Sequence, residues 1–237
     1  MRALFAVAVA VACALSLSAP ATAGDAGRID AYVTPYYDST GPVIRIGKYS
    51  SGLASENDAT FVAAISQMKK EWSRLSFVEL YVAAIRLYDL GYRREAAYWF
   101  YSAQYSGRQF ALLFNQKTIG SIGDPGFELY HAQDAFFQLA GPDINGYAFG
   151  DIDSLVKVIQ RVRSANRSVP DLHSIYQHVG FISKADWQNK NAQLNAGLGT
   201  LATSLESQKT QIARERAQNG TTARFSRLTS KQFPGGY

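Results

Sequence analysis

Residues 77–90 restrict the fold more than any other stretch of this chain. Apolar side chains occupy nearly every turn position there: Phe77, Val78, Leu80, Val82, Ala83, Ala84, Ile85 and Leu87. A helix that is apolar almost all round has no face left for water, so it must be surrounded by other helices. Its start is written locally. Ser76-Phe77-Val78-Glu79 is a capping box, in which the serine hydroxyl serves an unpaired N–H and the glutamate reaches back. Its end is Gly91, suited to the left-handed residue that closes a helix. The core is therefore expected over residues 77–140.

Flanking segments read as further helices. Ser55-Glu56-Asn57-Asp58 caps one that runs to about Trp72. Helices are expected over 93–105, ending near Gly107, and over 109–117. Asp124-Pro125 opens another that stops at Gly141-Pro142, leaving 142–150 as a loop. A helix over 151–165 carries a stripe of Leu155, Val156, Val158, Ile159 and Val162, and a short one covers 172–178. Residues 184–218 form a long polar amphipathic helix with one narrow seam, Trp187, Leu194, Leu198, Leu201, Leu205 and Ile212. That seam suits self-association. Residues 219–237 read as a flexible tail. Residues 24–54 differ from the rest: β-prone runs at 31–33 and 43–46 flank the turn signal Ser39-Thr40-Gly41-Pro42, so a β-hairpin or extended arm is expected. The division is thus 1–23, an arm over 24–54, a helical core domain over 55–183, the polar helix and the tail.

Residues 1–23 have the three parts of a secretory signal peptide. Arg2 precedes an apolar run over 3–17, and Ala21-Thr22-Ala23 supplies the small-x-small cleavage pattern. Cleavage after Ala23 leaves a chain starting at Gly24. The apolar run falls short of the ~20 residues that span a bilayer, and no later segment is long and apolar enough. A periplasmic or secreted protein is expected. The single cysteine, Cys13, lies inside the signal, so the mature chain has no disulfide and no thiolate ligand or nucleophile. Removal of Arg2 leaves 23 basic and 19 acidic residues, a net charge of +4 without a basic run, which disfavours nucleic acid as a partner.

One stretch resembles a known family. Over about residues 79–111, and most clearly in the segment from Gly91 to Gly107, the sequence is similar to the second half of a tetratricopeptide or Sel1-like repeat. Ala96, Phe100 and Ala103 hold its small–aromatic–small positions, Trp99 precedes the aromatic, and Gly107 and Ala111 follow at four-residue steps. The resemblance implies helix–turn–helix packing and protein–protein binding. No clean second copy appears, whereas a solenoid needs about three. The expected fold is therefore mostly α: helical hairpins packed in a repeat-like bundle, with the short arm before and the polar helix after.

Several constellations bear on chemistry. Glu128, His131 and Asp134 are three apart on one helix face, the arrangement of a metal site or a general-base pair; a polar helix stripe explains them better. His173 and His178 are five apart and fall on different faces. Asp143, Asn145, Gly146, Asp151 and Asp153 lack the glycine position and closing glutamate of a calcium loop, and read as turn and cap residues. No serine-nucleophile elbow and no phosphate-binding glycine loop is present, and Gly120-Ser121-Ile122-Gly123 reads as a turn. No cofactor is expected. Tyr98, Tyr101 and Tyr105 share a face with Arg94, and with Arg108 nearby they have the composition of a binding hot spot. The leading expectation is an exported, non-enzymatic protein-binding protein, one concrete form being a periplasmic immunity protein that occludes a bacterial toxin. The alternatives are an envelope metal-dependent or acid/base hydrolase using Glu128, His131 and Asp134, and a structural envelope-associated protein.

Overall fold

The computed structural model describes residues 26–29 and 46–236. The expected signal peptide and most of the expected β arm lie outside them. The described end of the arm, Gly47–Tyr49 and Ser50–Ala54, is a 3-10 turn followed by helix α1, not extended chain. Among the described residues the structure is helical, with one isolated antiparallel bridge, Phe114 to Phe181, and no strand.

The centre is the α3–α4 hairpin. Helix α2 (Asp58–Lys70) is capped by the Asn57 side chain, and α3 (Phe77–Asp89) starts at the expected capping box. Tyr176 adds a long-range cap, its hydroxyl accepting from the Phe77 N–H at 3.0 Å. Helix α3 ends in a Schellman turn. Gly91 sits at φ +88°, its N–H donates to Tyr88 O and that of Tyr92 to Leu87 O. From Phe77 to Tyr88 nearly every side chain of α3 is buried, as its apolar circumference requires.

Helix α4 (Arg93–Leu113) corrects the sequence reading. It is one helix of 21 residues, not two broken at Gly107, and the expected helix to Lys117 is only a 3-10 turn, Gln116–Thr118. Gly107 is there for closeness. A Cβ at that position would meet Gln133 Cγ of the next helix at 2.5 Å. Helix α5 (Pro125–Ala148) likewise passes straight through Gly141-Pro142, so the expected 142–150 loop is helical up to Ala148. Tyr81 stacks on Phe136 with centroids 5.2 Å apart, which fastens α5 to α3.

Helices α6 (Ile152–Ala165) and α7 (Leu172–Ile175) follow, with Asp151 capping α6. The last long helix is two: α8 (Lys184–Ser207) and α9 (Lys209–Gln218), broken at Gln208. The seam on α8 packs within the chain. Trp187 and Leu205 are buried, and Leu194, Leu198 and Leu201 lie half-buried against the core.

Residues 219–236 are not a loose tail. Helix α10 (Thr221–Phe225) sets the Phe225 ring over Gly146 of α5, and Arg224 pairs with Asp143 at 3.0 Å. Beyond it the chain straps back over the α3–α4 turn. The Lys231 N–H donates to Gly91 O at 2.8 Å, and Phe233 is buried beside Tyr92. Residues 26–29 meet the same region: the Tyr88 hydroxyl donates to Ala26 O at 2.6 Å, and Arg93 donates both to Gly27 O and to Thr229 O.

Candidate functional site

The tyrosines expected at a surface are inside. Tyr98, Tyr101 and Tyr105 retain 7%, 6% and 2% of their exposure, and burial pushes all three phenols above their usual pKa range. Each serves a different helix contact. Tyr98 stacks on Trp72 at 5.5 Å, with the Arg161 guanidinium 4.2 Å from its ring centroid. Tyr101 donates to Asn145 Oδ1 of α5 at 2.9 Å, and Tyr105 to Asn191 Oδ1 of α8 at 2.6 Å. Arg94 and Arg108 are exposed, whereas Tyr98, Tyr101 and Tyr105 are buried. Three- and four-residue spacing correctly put the tyrosines near one face of α4; that face meets α5, α6 and α8 instead of solvent.

Glu128, His131 and Asp134 are exposed along α5. Glu128 accepts from the Gly123 N–H at 2.9 Å, a brace for the start of the helix, and the His131 ring packs on Phe127 at 4.5 Å. Among the described residues no three His, Cys, Asp or Glu side chains are grouped closely enough to hold a metal ion. The Asp143–Asp153 stretch is likewise accounted for: Asp143 pairs with Arg224, Asp151 caps α6 and Asp153 pairs with Lys209. A shallow recess of about 260 Å³ is lined by Lys48, Tyr49, Ser51, Gly52, Ala64, Gln67 and Glu71. Its one carboxylate, Glu71, already accepts from Lys48, Gln67 and Tyr49, and those bonds hold its pKa down at about 2.

What the surface offers instead is aliphatic. Large apolar side chains stand exposed at Leu112, Ile119, Ile122 and Leu139, and three of these four fall between 112 and 122, at the end of α4 and in the loop to α5. Ile122 is 85% exposed. The loop is braced on both sides. The Asn115 N–H donates to Gly180 O, Thr118 packs on Gly180, and Asp124 caps α5 through the Phe127 N–H. The sequence carried a signal for this that is easily passed over: Ile122 sits between Ser121 and Gly123, out of step with either flanking helix.

The chain matches no family model, no curated protein and no solved structure.

Proposed function

We propose that this is an exported, non-enzymatic protein that binds another protein through the aliphatic loop between α4 and α5. The observation that carries the reading is Ile122, 85% exposed on a loop held at both ends. Leaving an isoleucine in water forgoes about 1.5–3 kcal/mol of burial, which a protein partner would recover. Export is supported by the sequence of residues 1–23, in which a single basic residue, an apolar run and Ala21-Thr22-Ala23 follow the order of a cleavable signal peptide. Intact mass of the protein recovered from the periplasm or medium should correspond to a chain starting at Gly24.

The likeness of residues 79–111 to a tetratricopeptide or Sel1-like unit belongs to this proposal. Ala96, Phe100 and Ala103 are fully buried, as the small–aromatic–small pattern requires. The uninterrupted α4 departs from that unit, whose second helix is shorter. Toxin occlusion is the concrete form the sequence suggests, and a strain lacking the protein should then become sensitive to a neighbour's secreted toxin.

The test is retention of a partner from envelope and secreted fractions by the immobilised mature chain, compared with its Ile119→Asp/Ile122→Asp variant. The reading expects a partner retained by the native chain and lost by the variant, with unchanged thermal unfolding. Equal retention by both, or none by either at micromolar concentration, overturns it.

A further inference from the structure

At the opposite end of α4 from that loop, residues 229–233 lie in a groove made by α2, the Gly91 turn and the first residues of α4. The groove contacts the strap in a graded way. Arg93 donates to Thr229 O at 2.6 Å, the Arg94 N–H donates to Ser230 Oγ at 3.1 Å, and Gly91 O accepts from the Lys231 N–H at 2.8 Å. The Lys231 stem runs over Gly91, and its ammonium lies 3.3 Å from Asp58 Oδ1 and 5.3 Å from the centroid of the Tyr92 ring. Phe233 meets Tyr92 edge-on at 5.3 Å, and the Lys69 ammonium lies 4.3 Å from its ring centroid.

The groove is organised by residues beneath the strap, not by the strap itself. Tyr92 holds Asp58 in place by donating to its Oδ2 at 2.6 Å. The buried Glu95 holds the Lys69 ammonium at 2.6 Å and also accepts from Trp99 Nε1 at 3.0 Å. A carboxylate for a cation, an aromatic wall for a ring, a backbone acceptor for the strap's main chain and a backbone donor for its serine hydroxyl are thus fixed by α2, the Gly91 turn and the start of α4. The strap is held less firmly. Of its side chains after Phe225 only Phe233 is buried, while Lys231, Gln232 and Pro234 are exposed. A segment held by one buried side chain, Phe233, and one half-buried one, Leu228, belongs to the part of a protein that opens locally while the core stays folded.

We propose that this groove is a peptide-binding site, that residues 229–233 occupy it in cis, and that its partner in trans is an extended segment of another protein carrying a lysine two residues before an aromatic. The strap itself shows the chemistry of that ligand. The site is separate from the aliphatic loop, about 30 Å away along the 21 residues of α4, and does not depend on it.

The test uses the full mature chain and a fluorescein-labelled peptide of residues 227–236, read by fluorescence anisotropy. In Phe233→Ala the strap loses its anchor, and the labelled peptide should bind about 10–100-fold more tightly than it does to the native chain, because a site open in roughly 1–10% of molecules loses affinity by that fraction. Peptides with alanine for the lysine or for the phenylalanine should not bind, and Asp58→Asn added to Phe233→Ala should weaken binding. Ile119→Asp/Ile122→Asp should leave peptide binding unchanged, so failure at one site does not count against the other. If Phe233→Ala loses its helical circular dichroism, Lys231→Ala takes its place with the same expectations. Absence of binding to a folded strap variant overturns the proposal. So does light scattering that shows two copies exchanging straps, since the occupant would then be a second copy of this chain.

Discussion

Asn191 of α8 joins α4 to the end of α6. It is 1% exposed, its Oδ1 accepts from Tyr105 and from Gln109 Nε2, and its Nδ2 donates to Asn166 O. Asn195, one turn on, donates to Arg163 O, so two asparagines of α8 finish the end of α6. Asn191→Ala strands the buried Gln109 Nε2 donor and leaves the Tyr105 hydroxyl only its 3.4 Å contacts with Asn166 O and Asn191 O, and should lower stability by about 2 kcal/mol in denaturant unfolding; a loss below about 1 kcal/mol would contradict the hub's role. Glu71 makes a prediction about pH. Its carboxyl titrates at about 2 against an ordinary 4.5, because Lys48, Gln67 and Tyr49 bond the ionised form. A lowered folded-state pKa adds stability above the unfolded value and loses it as pH falls through the folded one. The difference in melting temperature between native chain and Glu71→Gln should therefore be constant near neutral pH and close between pH 4.5 and about 2. A gap that persists at pH 2 contradicts this.

At the scale of elements, local sequence signals agree with the structure at four boundaries. The capping box before α3, Gly91 after it, Asp124-Pro125 before α5 and Asp151 before α6 all act through neighbours within a few residues. The errors lie where tertiary contacts overrule a local breaker. Gly107 looks like a stop, yet it is needed small so that Gln133 can approach. Pro142 removes the bond that Gln138 O would accept, but Gln138 is exposed and water can serve that carbonyl. The tyrosine face of α4 was legible as a face; that α5, α6 and α8 cover it depends on pairings remote in sequence. The same holds for the α8 seam, whose Leu205 is 1% exposed. Leu205→Ala should cost about 2–4 kcal/mol of stability without changing elution volume over a wide concentration range. A shift from dimer to monomer would instead return the seam to self-association. Docking of α10 has its own test. A Cβ on Gly146 would fall 2.3 Å from the Phe225 ring, so Gly146→Ala should free α10 and the strap to early proteolysis while the α3–α4 core stays resistant. Simultaneous loss of the whole fold would show that α10 is no separate clip.

At the scale of the whole molecule, the described residues form a buried α3–α4 hairpin wrapped by other helices and closed by a strap, with Gly27 and Thr229 both held by Arg93. Nothing in 77–140 suggested that closure, because Phe225, Leu228 and Phe233 are three and five apart in an otherwise polar stretch, too few for a periodic stripe. The wrapping leaves two kinds of surface at the two ends of α4: an aliphatic loop open to water, and a groove already filled. The claim that the protein acts by binding rests on the first. Its most direct test is a photo-crosslinking residue at position 122 of the protein, with exposed Lys157 on α6 as the control position. The account predicts a discrete adduct with one other protein from position 122 and none from position 157. No adduct from 122, or the same adducts from both, would contradict it.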